Sequence, residues 1–172
     1  MKQLNTTKWY IKWLLLAATF LTCVSYSFAQ PDLPPRSLTV TATQAIHFGT
    51  LWAGATGGEV IVNWDGSRSS TGDVVLLAMA PFAQPAIFEV KICHGRNIII
   101  TFSPTTLLTN GTGGSLTLEI GPTEQGGNNA SFPANYDCNF ITPLRVGGTL
   151  IIPGSAPPGT YTGSFDITFN QE

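Results

Sequence analysis

Thirty residues that break regular backbone decide what this chain can fold into. All eighteen glycines and all twelve prolines fall after residue 29. Inside a helix glycine costs about 1 kcal/mol and proline about 3, so no long helix fits between them. Short strands joined by turns do. The last fourteen residues show the pattern most clearly. Tyr161, Gly163, Phe165, Ile167 and Phe169 alternate with Thr162, Ser164, Asp166 and Thr168. A period of two, with aromatic and β-branched residues on one side, predicts a half-buried antiparallel strand.

The first 29 residues obey different rules. Lys2, Lys8 and Lys12 make a basic start, Trp13 to Ser27 is apolar or small, and Ser27-Phe28-Ala29 precedes Gln30-Pro31. This predicts a secretory signal peptide over 1–29, cleaved between Ala29 and Gln30. The apolar run is too short for the roughly 20 residues that span a bilayer. No membrane insertion is expected after cleavage. Thr22, after Phe20-Leu21, makes a poor lipobox for Cys23.

Cleavage would leave five basic residues, Arg36, Arg68, Lys91, Arg96 and Arg145, against ten acids, a net charge of −5. With no basic cluster, nucleic acid is not an expected partner. The remaining 143 residues suffice for one core. Residues 30–37 hold three prolines in QPDLPPR and read as an extended tether; 38–172 read as one β-sandwich domain. Cys93 and Cys138 remain after cleavage. In an oxidising compartment such a pair is expected to form a disulfide.

Along the domain, Leu38, Val40 and Ala42, then Ile46 and Phe48, outline a first strand broken near Gln44-Ala45. Glu59–Trp64 and Asp73–Met79 follow as strands, with Arg68–Gly72 a polar stretch between them. Ala86–Cys93 and Ile98–Phe102, joined at His94–Asn97, read as a hairpin. Ser115–Ile120 and Leu144–Ile152 alternate or run apolar, and Gly121–Phe140 is the least regular stretch. The fold class is all-β: an immunoglobulin-like two-sheet sandwich of about seven to nine short antiparallel strands, with a barrel as the alternative.

Chemical signatures are sparse. His47 and His94 are the only histidines, too few for the three or four convergent ligands of a metal site. The acids are dispersed, and no Gly-x-Ser-x-Gly elbow occurs. Neither a metal nor another cofactor is expected, nor an enzyme. Asn63, Asp65 and Ser67 alternate oxygen donors as calcium loops do, without the following glutamate, and read as a surface turn. Asn110-Gly111-Thr112 and Asn129-Ala130-Ser131 match glycosylation sequons but read as turn chemistry. Trp52, Trp64 and Tyr136 lie near turns and form a candidate ligand surface able to stack on sugar rings; edge-of-core packing is the competing reading.

The punctuation resembles a secreted bacterial family catalogued as domain of unknown function 4402. The resemblance rests on Ile46-His47-Phe48-Gly49-Thr50-Leu51, on Asn63-Trp64-Asp65-Gly66-Ser67-Arg68, and on Pro85–Val90. It continues through Ile98–Pro104 and Leu108–Gly111. Val146-Gly147-Gly148-Thr149-Leu150 and Pro158–Phe165 are its most specific parts. It covers Leu38 to Asn170 and is similar to pilin-like and spore-coat-type β-sandwich modules. It implies an exported structural or adhesive module of a Gram-negative cell envelope, periplasmic or at the cell surface, with no catalytic residues to carry over. The expected partner is protein, including self-association by strand addition. Candidate assembly residues are Leu38, Val40, Ala42, Ile46 and Phe48 near the start, and Tyr161, Phe165, Ile167 and Phe169 at the end. A carbohydrate-binding or protein-binding module is the alternative.

Overall fold

The computed structural model describes Trp13 and residues 36–94, 97–135 and 137–171. The predicted cleavage point at Ala29 and Gln30, and Tyr136, lie outside them. Residues 1–34 and 35–172 are separate units; the account below concerns the second.

Ten strands make up this unit among the described residues. They are β1 (Ser37–Gln44), β2 (Leu51–Val62), β3 (Arg68–Leu76), β4 (Ala86–Cys93), β5 (Asn97–Phe102), β6 (Thr105–Thr109), β7 (Ser115–Thr123), β8 (Ser131–Pro133), β9 (Thr142–Pro153) and β10 (Ile167–Gln171). All pairings are antiparallel, in two sheets. The all-β, two-sheet class is as expected, with ten strands rather than seven to nine. The large sheet runs β1-β4-β9-β2-β3, with β7 on β9 and β6 on β7; the small sheet runs β10-β5-β8.

β9 is the spine. Its residues 142–146 pair with β4 and 148–153 with β2. Residues 146–151 pair with β7. Since Val146 meets both Ala86 and Thr123, and Leu150 both Val60 and Leu118, β4 and β2 follow each other along one edge and β7 lines the other. Gly147 sits at the handover. A Cβ there would come 2.6 Å from the Val62 carbonyl oxygen, so no side chain fits.

Two apolar clusters result. The first holds Val90, Ile92, Ile98, Ile100, Phe132, Leu144 and Val146, joining the β1-β4-β9 region to the small sheet. The second holds Phe48, Val60, Val62, Leu116, Leu118, Leu150 and Ile152. Ile46, Ile120 and Phe165 touch both.

Several sequence expectations are corrected. β4 and β5 are not a hairpin: β4 pairs with β1 and β9, β5 with β10 and β8. Both strands are buried on alternate positions, which a hairpin and a corner between sheets satisfy equally. Arg68–Gly72 is the first half of β3, because its polar residues occupy a solvent-facing strand. The irregular Gly121–Phe140 stretch contains the end of β7 and all of β8. The final alternation holds in burial from Phe165 to Gln171, but only Ile167–Gln171 is a ladder strand. Tyr161–Asp166 instead crosses to β6, where the Thr109 and Thr162 backbones exchange hydrogen bonds of 2.9 Å. The Thr106 hydroxyl donates to the Ser164 carbonyl.

Candidate assembly edges and aromatic surface

The two segments singled out for assembly are the outer strands of different sheets. Among the described residues β1 pairs only with β4, and β10 only with β5. Hydrogen-bond parity identifies the free groups of β10. Ile100 accepts from the Asn129 amide and donates to the Ala130 carbonyl, so its backbone faces the β8 side. Ile99 and Thr101 therefore face β10, where they pair with Asn170 and Thr168. The amides and carbonyls of Ile167, Phe169 and Gln171 point outward, with no ladder partner among the described residues.

The apolar faces behind these edges are incompletely covered. Leu38, Val40, Phe165, Ile167 and Phe169 are half-buried, and Ala42 is exposed. Central residues such as Val90, Ile98, Ile100 and Leu144 are fully buried. Ala42 is the register partner of Phe88, and its small side chain leaves that ring half-buried. Phe88 packs across to Phe165 and Phe169, at ring centroids of 6.3 and 5.8 Å. The side-chain amide Nε2 of Gln171 is enclosed without an acceptor, a costly state for a buried donor. Phe48 and Ile46 follow β1 but belong to the core. Phe48 is buried, and Ile46 links both clusters. Tyr161 is anchored by its hydroxyl, which donates to the Pro157 carbonyl at 2.6 Å.

Of the aromatic candidates, Trp52 and Trp64 are exposed. Trp52 is 55% and Trp64 40% accessible. Trp52 is the second residue of β2 and faces Val75 across the β2–β3 ladder; Trp64 lies in the turn after β2. That turn is built by Asp65 accepting from the Ser67 amide and by the Asn63 side chain donating to the Ser67 hydroxyl. Asn63, Asp65 and Ser67 thus serve turn geometry, as expected. The hydrogen bonds from Ser67 hold the Asp65 carboxyl below its ordinary pKa. Asn110 likewise accepts from the Thr112 and Gly114 amides. Among the described residues, no group of three or more His, Cys, Asp or Glu is placed to hold a metal.

The β2–β3 ribbon is folded on itself. Residues 54–57 of β2 bulge opposite the single residue Asp73. Arg68, at the turn end, reaches the open end: its guanidinium donates to the Thr50 carbonyl at 2.9 Å and to the Leu77 carbonyl at 3.5 Å. Burial pushes its pKa down, and no carboxylate pairs with it among the described residues. Sequence reading missed this clasp, and also missed that Val75, Met79 and Phe82 are exposed. Asp73–Met79 reads as one buried run, and only alternation within it separates the faces.

Cys93 and Cys138 are bonded, with Cα atoms 4.6 Å apart. The disulfide ties the end of β4 to the loop after β8, across the two sheets. A family model described as a domain of unknown function (DUF4402) matches residues 38–170. The chain belongs to DUF4402. The match begins in β1 and ends in β10, so the DUF4402 unit includes both outer strands. Searches of curated proteins and of solved structures found no match. Among the described residues no helix is long and apolar enough to cross a membrane.

Proposed function

We propose that this chain is an exported, non-catalytic assembly module of a bacterial cell envelope, a pilin-like or coat-like subunit that joins neighbours by strand addition. One observation carries the reading: β10 presents the backbone groups of Ile167, Phe169 and Gln171 on an open edge, over apolar side chains that are only half-covered. An extended segment from a second copy would complete that ladder and cover Phe88, Phe165 and Phe169. The donor is the N-terminal segment through Gln44, because Ile46 and Phe48 stay in their own core. Among the described residues β1 holds its own copy through one ladder, so moving it onto β10 of a neighbour gives up one ladder and forms another. The disulfide and the basic-apolar start of the chain support an oxidising, extracytoplasmic location.

Light scattering behind size exclusion, across a concentration series of oxidised protein beginning at Gln30, tests this. A ladder of species that disappears on trimming Gln30 to Gln44 is the expected outcome. A monomer at every concentration would overturn strand addition.

The exposure of Trp52 and Trp64 favours a second reading, a carbohydrate-binding or protein-binding module. It predicts tryptophan fluorescence changes across a glycan panel that Trp64→Ala removes. A flat response counts against it.

A further inference from the structure

Among the described residues, five of the exposed large apolar side chains belong to one folded ribbon and the loop after it: Trp52, Trp64, Val75, Met79 and Phe82. The outer strand of that ribbon, β3, pairs only with β2 among the described residues. An exposed apolar row beside an open sheet edge is what native proteins ordinarily guard against, with lysine, proline or an outward charge. β3 carries no such guard beyond Ser69. Its one charge there, Asp73, is turned back onto β2, its carboxylate filling the space that a Cβ on Gly54 would take.

The free backbone groups of this edge can be assigned. The Leu77 amide donates to the Thr50 carbonyl at 3.1 Å, which makes 50 and 77 a hydrogen-bonded position. Two residues on, Trp52 and Val75 are the next such position. The amides and carbonyls of Val74 and Leu76 therefore point away from β2. The Val74 carbonyl confirms the parity: it accepts from the Ser70 hydroxyl at 3.1 Å rather than from β2, and keeps a second lone pair.

We propose that β3 is a homotypic interface, in which a second copy pairs its own β3 antiparallel to this one about a two-fold axis through Val75. The occupant follows from the self-match of the edge. With Val75 on the axis, Val74 of each copy faces Leu76 of the other, and each pair exchanges two hydrogen bonds. Val75 then meets its own counterpart at a non-hydrogen-bonded position, where Cα atoms lie about 4.5 Å apart and side chains are closest. On the outer face the row becomes Trp52, Val75, Val75 and Trp52, apolar throughout. On the inner face Leu76, half-buried in one copy, gains a neighbour in Val74 of the other. Asp73 falls opposite Leu77, so no like charges meet. The surface is distinct from β1 and β10, and the dimer does not depend on strand addition.

Val75→Cys tests the register. With the native disulfide intact, mild oxidation is expected to cross-link most of this variant into a covalent dimer. Leu107→Cys, exposed on β6, is expected to form no covalent dimer under the same conditions. Val75→Lys should shift the sedimentation of the smallest species from dimer to monomer, and Val75→Thr, which keeps the β-branch, should weaken the dimer less. Circular dichroism checks that each variant is folded. A Val75→Cys protein that is folded yet fails to cross-link, or that cross-links no better than Leu107→Cys, overturns the interface. A dimer dissolved by Val75→Lys while larger species persist would separate this surface from the strand-addition edge.

Discussion

Arg68 illustrates how one side chain can organise more structure than its position suggests. Its guanidinium bonds two carbonyls, those of Thr50 and Leu77, at the far end of the ribbon it belongs to. Hydrogen bonds from a charged group contribute about 1.5–3 kcal/mol each when both partners are sheltered. Arg68 is only partly buried, and the Leu77 contact is long, so Arg68→Ala is expected to cost roughly 1–3 kcal/mol in urea denaturation. Arg68→Lys should recover little, because an ammonium cannot reach two carbonyls with a planar fork. Full recovery by lysine would show that charge, not geometry, matters there. Asp65 gives a pH-dependent counterpart. Its carboxyl is held below the ordinary value of 3.8 by Ser67. A group with a depressed folded pKa stabilises above its unfolded value, and the contribution disappears as pH falls through the folded one. Ser67→Ala is therefore expected to raise the Asp65 midpoint in an NMR titration. An unchanged midpoint would assign the shift to another cause.

At the scale of elements, the connection between β4 and β5 matters most. Two adjacent apolar strands with a turn between them predict a hairpin, yet the chain changes sheets there. The disulfide sits at that corner and closes a loop of 45 residues between β4 and the segment after β8. In the chain-entropy model a loop of that size is worth about 4 kcal/mol. Replacing both cysteines by serine should lower the free energy of unfolding by up to that amount, read from denaturant midpoints at constant slope. A loss under about 1 kcal/mol would mean that the corner is held by packing alone. The turn after β7 is clipped in a weaker way. Glu124 accepts from both the amide and the guanidinium of Arg145 on β9, the ion pair spanning 3.1 Å. With Arg145 largely exposed, such a pair contributes under about 1 kcal/mol.

Across the whole molecule, the two apolar clusters are coupled rather than independent. Phe165 touches both, and it lies in the segment that leaves β6 to become β10. Phe165→Ala is expected to cost roughly 2–4 kcal/mol, less than a fully buried phenylalanine because the ring is half-exposed. Far-ultraviolet circular dichroism and tryptophan fluorescence should still report one coincident transition. Separate transitions would show that the clusters fold as independent units.

Much of this architecture is legible in the residues themselves. Glycine and proline placement excludes long helices, and period-two alternation finds Ser115–Ile120 and the final strand. Asn63–Ser67 and Asn110–Gly114 announce their turns, because a short polar side chain satisfies its own backbone wherever the chain is placed. The outer strands β1 and β10 could likewise be suspected from alternation with one apolar face. What alternation cannot encode is which strand lies beside which, since any two strands of period two present equivalent ladders. Tertiary structure alone sends β5 to the second sheet, folds β2–β3 back through Arg68, and leaves Trp52 and Val75 exposed. Those outcomes depend on contacts between residues distant in the chain, along β9 and where the two clusters meet at Ile46, Ile120 and Phe165.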